Sequence, residues 1–139
     1  MYRVAIIGQS LGAQVAALAC KASGFQDIGR FYGEQTHDLL PTIHSLGANA
    51  SRLLRALAPE ALEQAGFQPD RYQVRFAKSA YLLAELPLGE FYQQRYGAPL
   101  INFAAPALAA YLEEQLGMPI AAATALSDIE SNHDLTVLT

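Results

Sequence analysis

Residues 4–19 read VAIIGQSLGAQVAALA, and this stretch decides how the chain is expected to begin folding. The β-branched apolar run Arg3–Ile7 favours a buried parallel strand. Small helix-forming residues over Leu11–Ala22 predict a helix that stops at Gly24. A second strand is predicted over Ile28–Tyr32. Together these elements form a β-α-β unit of about 30 residues, with the right-handed crossover that such units adopt.

The turn Gly8-Gln9-Ser10-Leu11-Gly12 has two incompatible interpretations. As G-x-S-x-G it is the nucleophile elbow of a serine hydrolase, with Ser10 attacking and with Asp128 and His133 completing the triad. That elbow needs an earlier strand and loop to supply an oxyanion donor, and the few residues before Ser10 leave no room for them. Turn chemistry also explains the pair Asp128 and His133, so we disfavour the hydrolase.

The second interpretation is a dinucleotide-binding turn of the G-x-G-x-x-G type. Gly8 makes the turn, and Ala13 is an accepted substitute for the third glycine, which lets helix and strand pack closely. Ser10 stands where the middle glycine lets backbone approach a pyrophosphate, and Gly12 adds local room. This interpretation suits a unit whose first strand begins at residue 2 or 3.

The rest of the chain carries further helix and strand patterns. Apolar residues recur with a helical period between Leu46 and Ala58, and Asn49 is predicted to cap that helix. We expect a mixed order of elements after it: a short helix over 59–65, two strands within 72–86 around a turn at Lys78-Ser79, a loop over 87–99, a helix over 106–116, a strand over 120–124 and a hairpin over 125–138. Two interpretations of Phe91, Tyr92 and Tyr96 in this loop stay open: packing over the sheet, which we favour, or lining a pocket or a partner surface. Tyr111 of the last helix is expected in the core.

Composition restricts the function classes. The chain has 139 residues, 52% of them hydrophobic and only 16% charged, with a formal net charge of −4. The shortage of charge indicates an apolar face covered by a second copy, a further domain or a large ligand. A negative chain without a basic cluster gives no case for nucleic acid or an anionic membrane. We therefore expect a homo-oligomer or a second chain as the partner.

Metal and redox chemistry have little support in the sequence. Cys20 is the single cysteine and is expected as a buried thiol, and His37 and His44 are not spaced as a metal pair. No apolar run is long enough to span a bilayer, and we expect a cytoplasmic protein without a metal site.

Four stretches together resemble a known family. They are VAIIGQSLGAQVAALACKASGF (4–25), LGANASRLLRALAPEALEQAGF (46–67), LLAELPLGEFYQQRYGAPLINFAAPALAAYLEEQLG (82–117) and IAAATALSDIESNHDLTVLT (120–139). In order and spacing they resemble the N-terminal FAD-binding portion of the FAD-dependent aromatic hydroxylases, the para-hydroxybenzoate hydroxylase-like flavoprotein monooxygenases. The resemblance implies an α/β fold: a Rossmann-like β-α-β FAD/NAD(P)-binding fold with a mostly parallel sheet and an added antiparallel hairpin, here one partial domain over 1–139.

The resemblance also implies a cofactor, FAD, and a set of residues that hold it. These cofactor-binding residues are Gly8, Ser10, Leu11, Gly12, Ala13, Glu34 and Asn49. No catalytic residue is expected in this chain. Members of the family hydroxylate an aromatic ring with reduced flavin and oxygen, and nicotinamide supplies the electrons.

The chain departs from the family pattern at the cofactor contacts. The acidic residue that binds the adenosine ribose would be Glu34, which comes about two residues late. Ala48 replaces the proline of the family's Pro-Asn-Ala segment, and Ala105 and Ala107 stand in place of the arginine and aspartate of its His-Arg-x-Asp-Leu motif. The family's later Gly-Asp motif and its substrate domain lie beyond residue 139. Two functions follow: an FAD-binding portion that needs a second chain, or a non-enzymatic remnant that binds itself or a partner.

Overall fold

The computed structural model of the chain describes residues 3–32, 43–122, 129–131 and 136–138. Glu34, His37, Asp128 and His133 lie outside these described residues. The helices are α1 (Leu11–Ala22), α2 (Ala48–Leu57), α3 (Ala61–Ala65), α4 (Leu88–Tyr96) and α5 (Ala105–Leu116). The strands are β1 (Arg3–Ile7), β2 (Asp27–Tyr32), β3 (Ile43–Leu46), β4 (Gly66–Phe67), β5 (Tyr72–Arg75), β6 (Leu82–Leu86), β7 (Ile101–Ala104), β8 (Ala121–Ala122), β9 (Ile129–Ser131) and β10 (Thr136–Leu138).

The chain divides into two compact units. The first comprises Met1–Asp38 with Leu116–Thr139, and the second comprises Leu39–Gln115. The single domain expected over 1–139 stays a prediction. The fold class is confirmed, because parallel and antiparallel sheets combine with helices in a mixed α/β structure.

The first unit is built on a parallel sheet in the order β1-β2-β8. Helix α1 connects β1 to β2 and buries its small residue Ala17 completely, so the predicted β-α-β unit is confirmed. Two long side chains fasten the unit to the segment that leads into β8: Lys21 Nζ donates to the Leu116 carbonyl at 3.1 Å, and Arg30 Nη1 donates to the Met118 carbonyl at 3.1 Å. Arg30 is buried, with only 4% of its surface exposed, so its aliphatic stem is part of the packing. The predicted C-terminal hairpin is confirmed as the antiparallel pair β9–β10.

The second unit contains an antiparallel sheet in the order β3-β7-β4, with β7 at its centre. Apolar side chains from this sheet and from α2, α3 and α5 are buried, as their period predicts. The largest of them are Leu54, Leu62, Ile101, Phe103, Leu108 and Leu112. Ser51 of α2 is also buried, and its hydroxyl donates to the Pro99 carbonyl at 2.7 Å, which satisfies a polar group inside the unit.

The second unit also carries the β5–β6 hairpin, which agrees with the two strands predicted within 72–86. Every residue from Arg71 to Pro87 is exposed. The segment predicted as a loop over 87–99 was assigned wrongly, because Leu88–Tyr96 is helical and ends at Gly97, whose φ of 67° suits glycine at a helix end. A strand over Ile43–Leu46 was missed, and Tyr111 is half-buried rather than fully in the core.

Candidate functional site

The turn between β1 and α1 contains the positive φ angle that a glycine at this position predicts. Gly8 adopts a φ of +128°, a conformation that side chains other than glycine rarely take. Its N–H donates to the Phe31 carbonyl at 2.8 Å, which continues the β1–β2 pairing by one residue into the turn. The start of α1 therefore lies at the carboxyl end of a parallel strand, which is where open α/β sheets bind ligands.

Ser10 is the N-cap of α1. Its Oγ accepts a hydrogen bond from the Ala13 N–H at 3.3 Å, and its carbonyl accepts from the Gln14 N–H at 3.1 Å. Its backbone is ordinary and extended, with φ −66° and ψ 160°, and so lacks the strain of a nucleophile elbow. Ser10 therefore has a structural role that the sequence interpretation missed, although serine directly before a helical run is the usual N-cap signal.

The other residues predicted at this turn surround the same helix start. Gly12 is exposed, and Leu11 and Ala13 are half-buried. The nearest atom to a Cβ built on Gly12 would be Ser10 Oγ at 3.6 Å, and on Gly8 it would be the Ala13 Cβ at 3.8 Å. The structure thus brings together five of the predicted cofactor residues around one exposed helix N-terminus: Gly8, Ser10, Leu11, Gly12 and Ala13.

Helix α2 begins differently from the prediction. Its N-cap is Gly47, which makes no side-chain capping bond, and its carbonyl accepts from the Ser51 N–H at 3.0 Å. Asn49 is the second residue inside the helix, so its predicted role as the N-cap is wrong. The error arose because asparagine outranks glycine as a capping side chain, while the backbone here turns at the glycine.

A concave surface of about 390 Å³ lies at this second helix start. It is lined by Gly47, Ala48, Asn49, Ala50, Tyr92 and Tyr96. Arg52 of α2 donates through Nη2 to the Tyr96 carbonyl at 2.6 Å and so holds α4 beside α2. The centroids of the Tyr92 and Tyr96 rings are 5.3 Å apart. The alternative that these aromatic residues line a pocket fits Tyr92 and Tyr96, although the segment was predicted as a loop and is a helix; the i, i+4 spacing of the two tyrosines was the available signal.

A second concave surface of about 290 Å³ lies along β2 in the first unit. Its lining comes from β2 and from the segment leading into β8: Ile28, Gly29, Arg30, Phe31, Met118, Pro119, Ile120 and Ala121. The Phe31 ring covers Gly29, since a Cβ built on that glycine would lie 2.6 Å from Phe31 Cε2. This surface lies along the strand that precedes the predicted ribose-binding Glu34.

Strand β1 is an edge strand in the part of the chain that the structure describes, where it pairs with β2 alone. After Arg3 its sequence, VAII, is the continuous apolar run of a strand buried inside a parallel sheet. Yet Ala5 is exposed, and Ile7 keeps 45% of its surface exposed. The apolar sequence of β1 is that of a buried strand, whereas its position among the described residues is that of an edge strand. An additional strand beside β1 would bury these side chains.

The predicted residues divide between the two units. The five at the start of α1 belong to the first unit, and Asn49 belongs to the second. Ala105, which stands in place of the family arginine, is the first residue of α5 and only 2% exposed, whereas Ala107 is exposed. Within the described ranges there is no cluster of three histidine, cysteine or acidic side chains that could hold a metal ion. Nor do those ranges contain a helix long and apolar enough to cross a membrane.

Comparison with known proteins gives the same family as the motifs. The chain is 29% identical over 107 residues to 6-hydroxynicotinate 3-monooxygenase of Pseudomonas fluorescens, and 30% identical over 101 residues to the enzyme of the same name from Bordetella bronchiseptica. Each match covers 72% of this chain but 26% of the relative. The chain therefore spans about a quarter of the length of the curated relatives that it matches. No protein-family model matches the chain.

The fold is shared with solved structures. Klebsiella pneumoniae HpxO, solved in complex with FAD and uric acid, superimposes with a TM-score of 0.82 at 18% identity, over 98% of this chain and 34% of that one. At this identity the likeness shows the fold alone. The curated relatives and the shared fold confirm the predicted resemblance to the flavoprotein monooxygenases, of whose length this chain spans only a part.

Proposed function

We propose, from the premise that this chain resembles the FAD-binding portion of the flavoprotein monooxygenases, that it binds FAD and works with a second polypeptide that supplies the substrate portion. The observation that carries the proposal is the turn at Gly8. Its positive φ and its place at the carboxyl end of a parallel strand are what a dinucleotide turn requires.

The backbone N–H groups at the start of α1 suit a pyrophosphate. The N–H groups of a first helical turn have no partner within the helix and point outward, and the helix dipole favours an anion there. Gly12 is exposed and leaves the approach to these groups open. Gly8, Leu11, Gly12 and Ala13 would hold the pyrophosphate through the backbone. When bound, FAD supplies the redox chemistry, and the protein binds, orients and shields it.

Ser10 competes with the cofactor for the same helix start. Its Oγ already accepts the Ala13 N–H, so an incoming phosphate oxygen must displace it. At 3.3 Å that bond is long for an N–H donor and an oxygen acceptor, and an exposed hydroxyl rotates readily about χ1. The serine therefore weakens binding without closing the site.

Two other departures from the family pattern lower the expected affinity: Ala105 in place of the arginine, and the late position of Glu34 in the sequence. Ala105 cannot offer a charge-assisted bond, and its burial means that an arginine would not fit there without repacking. Each charge-assisted hydrogen bond contributes about 1.5–3 kcal/mol, so losing two weakens binding by roughly a thousandfold. We expect FAD to bind this chain weakly when it is alone.

The edge position of β1 among the described residues supports the proposal of a second polypeptide. Within the described residues β1 pairs on one side alone, and a strand of apolar side chains with such an edge is a template for another strand. A partner strand beside β1 would bury Ile7 and complete the sheet around the turn that holds the pyrophosphate. FAD affinity should then rise, because ordering the turn removes an entropic cost of binding.

The test is the visible absorption spectrum of the purified protein, followed by titration with FAD and with ADP. We expect a yellow protein, or quenching of flavin fluorescence with weak affinity that ADP competes for. A colourless protein with no measurable binding of either ligand contradicts the proposal. Gly8→Val in the turn should abolish binding, and Gly47→Val should leave it unchanged if the turn after β1 holds the pyrophosphate.

The alternative is a non-enzymatic remnant of the same fold that binds itself or a partner. The exposed apolar residues of the β5–β6 hairpin favour it. The two functions differ in the flavin titration, because a remnant associates without binding FAD. A serine hydrolase is a distant third, tested by a fluorophosphonate probe whose labelling Ser10→Ala should abolish.

A further inference from the structure

On one face of the β5–β6 hairpin the polar side chains are hydrogen-bonded to groups of the hairpin itself. Arg71 Nη1 lies 3.4 Å from Glu85 Oε1, and Gln73 Nε2 also donates to Glu85. Arg75 donates through Nη2 to Gln73 Oε1 at 3.0 Å and through Nη1 to the Ala80 carbonyl at 2.9 Å. Gln73 and Arg75 alternate along β5 and pair with Glu85 and Leu82, with a register shift between Val74 and Arg75, so they lie on one face. The polar side chains of this face are hydrogen-bonded within the hairpin, and Leu82 is its apolar member.

The opposite face is a ladder of apolar pairs. Tyr72 pairs with Leu86 and Val74 with Ala84 in the antiparallel register. The Phe76 N–H donates to the Tyr81 carbonyl at 2.8 Å, which adds a third pair beyond the end of β5. We call these six residues the apolar ladder. No ionised side chain belongs to it, so it offers a surface that water solvates poorly.

The ladder is exposed along its whole length. The exposed fractions are 55% for Tyr72, 54% for Leu86, 39% for Val74, 51% for Phe76 and 69% for Tyr81. From the usual areas of these side chains, the ladder exposes roughly 600 Å² per chain. Two such faces packed together over their full length would remove at most roughly 1,200 Å², against the roughly 1,000 Å² that a specific interface needs.

We propose that the apolar ladder is the surface through which two copies of this chain dimerise. A hairpin with one apolar face is marginal by itself in water, and packing two sheets face to face, about 10 Å apart, is the usual way to bury such a face. The sizes alternate along the ladder, with a small pair, Val74 and Ala84, between two large ones.

This proposal does not depend on FAD binding. It concerns the second unit alone, and dimerisation is measured without flavin, so its failure and the failure of the proposed function are separate results. The ladder lacks charge, and the arginines of the opposite face are paired within each copy. Association should therefore change little between low and high salt.

The experiment is sedimentation velocity of the full chain over a range of concentrations. We expect a dimer for the wild type and a monomer for Val74→Lys, because the lysine would bury an unpaired charge at the middle of the interface. The dissociation constant should rise by roughly a hundredfold or more. The matched control is Gln73→Lys, the same new charge one residue away on the polar face, which should remain a dimer.

Circular dichroism should show both variants folded, since residues 73 and 74 are exposed and outside the core. If Val74→Lys does not fold, Tyr81→Lys beyond the strand end replaces it, with the same expectation. A monomeric wild type overturns the proposal, whether or not another polypeptide binds the ladder. A dimer that survives both lysine substitutions also overturns it and assigns association to another surface, such as the open edge of β1.

Discussion

Two helices, α1 and α2, each begin at a glycine-containing turn after a strand, and their starts differ in one respect that matters for ligand binding. At α1 the Ser10 hydroxyl accepts a first-turn N–H. At α2 the cap is Gly47, which has no side chain to do so. The start of α1 is therefore partly satisfied by the protein itself, whereas the start of α2 leaves its first turn to water or a ligand.

The difference shows that a sequence motif can persist in the backbone while the ligand contacts it normally provides are altered. The glycine pattern before α1 persists in its backbone, as the φ of Gly8 proves, yet a side chain has taken part of the ligand's place. The start of α2 has no glycine-rich motif, yet no side chain caps it and the aromatic residues Tyr92 and Tyr96 lie beside it. Four predictions test this comparison.

The largest expected effect on stability comes from substituting Gly8, with Gly47 as the matched control. Gly8→Ala should lower the free energy of unfolding by about 1–3 kcal/mol, because alanine is strained at a φ of +128°. Space is not the cause, since the nearest atom to the added Cβ would be 3.8 Å away. Gly47→Ala is the control: its φ is −69° with no atom within 4 Å, and it should cost less than about 1 kcal/mol. Urea unfolding at unchanged slope measures both, and equal losses would contradict the backbone argument.

Sequence patterns predicted the first unit well and the second less well. The strand over Arg3–Ile7 and the helix over Leu11–Ala22 were found to the residue, because an apolar β-branched run and a small-residue helix are strong local signals. The strand Ile43–Leu46 was missed, because it has no alternating pattern and forms by pairing with β7, a partner distant in sequence. Helix α4 was missed because Pro87 and Gly89 resemble turn residues, whereas proline before a helix and glycine in its first turn are tolerated.

The candidate site was predictable only in its backbone. The glycines and the strand-to-helix transition follow from residues 4–19, but the direction of the Ser10 hydroxyl does not. The open start of α2 depends on α4 lying beside it, which the Arg52 bond to the Tyr96 carbonyl establishes over 44 residues of sequence. Such long-range contacts leave no pattern in a single sequence.

The next prediction concerns what anchors α2. Ser51→Ala should cost about 1–2 kcal/mol, because the buried Pro99 carbonyl loses its donor at 2.7 Å. Ser45→Ala makes the same chemical change at an exposed site, where the hydroxyl donates to Asn102 Oδ1 at 2.7 Å. Water replaces that bond, so this control should stay within about 0.5 kcal/mol of the wild type. If the two alanine variants unfold at the same urea concentration, the buried bond does not anchor the helix.

A smaller effect is expected at the cap of α1. Ser10→Ala should cost about 1 kcal/mol of stability and Ser10→Gly only a few tenths, because glycine lets water and backbone satisfy the helix start. Flavin binding separates the roles of the residue. Ser10→Gly should tighten FAD binding, because the competing hydroxyl is gone and backbone can approach the pyrophosphate. An unchanged FAD affinity would assign the weakness to the buried Ala105 and to the absent second polypeptide instead.

The smallest effect concerns a third helix start, at α3, whose N-cap residue Glu60 makes no capping bond with its side chain. Its carboxylate instead accepts a hydrogen bond from the Tyr111 hydroxyl of α5. Burial, and then the negative charges of Glu60 and Glu114, raise the pKa of Tyr111 above its ordinary value of 10.0. The stabilising contribution of this phenol is therefore complete below that ordinary value and is lost as pH rises through the higher folded pKa. Absorbance titration should show one late-ionising tyrosine that Tyr111→Phe removes, and Glu60→Gln should move it toward the ordinary value. If Glu60→Gln leaves the titration of Tyr111 unchanged, the Glu60 carboxylate does not act on the pKa of this phenol.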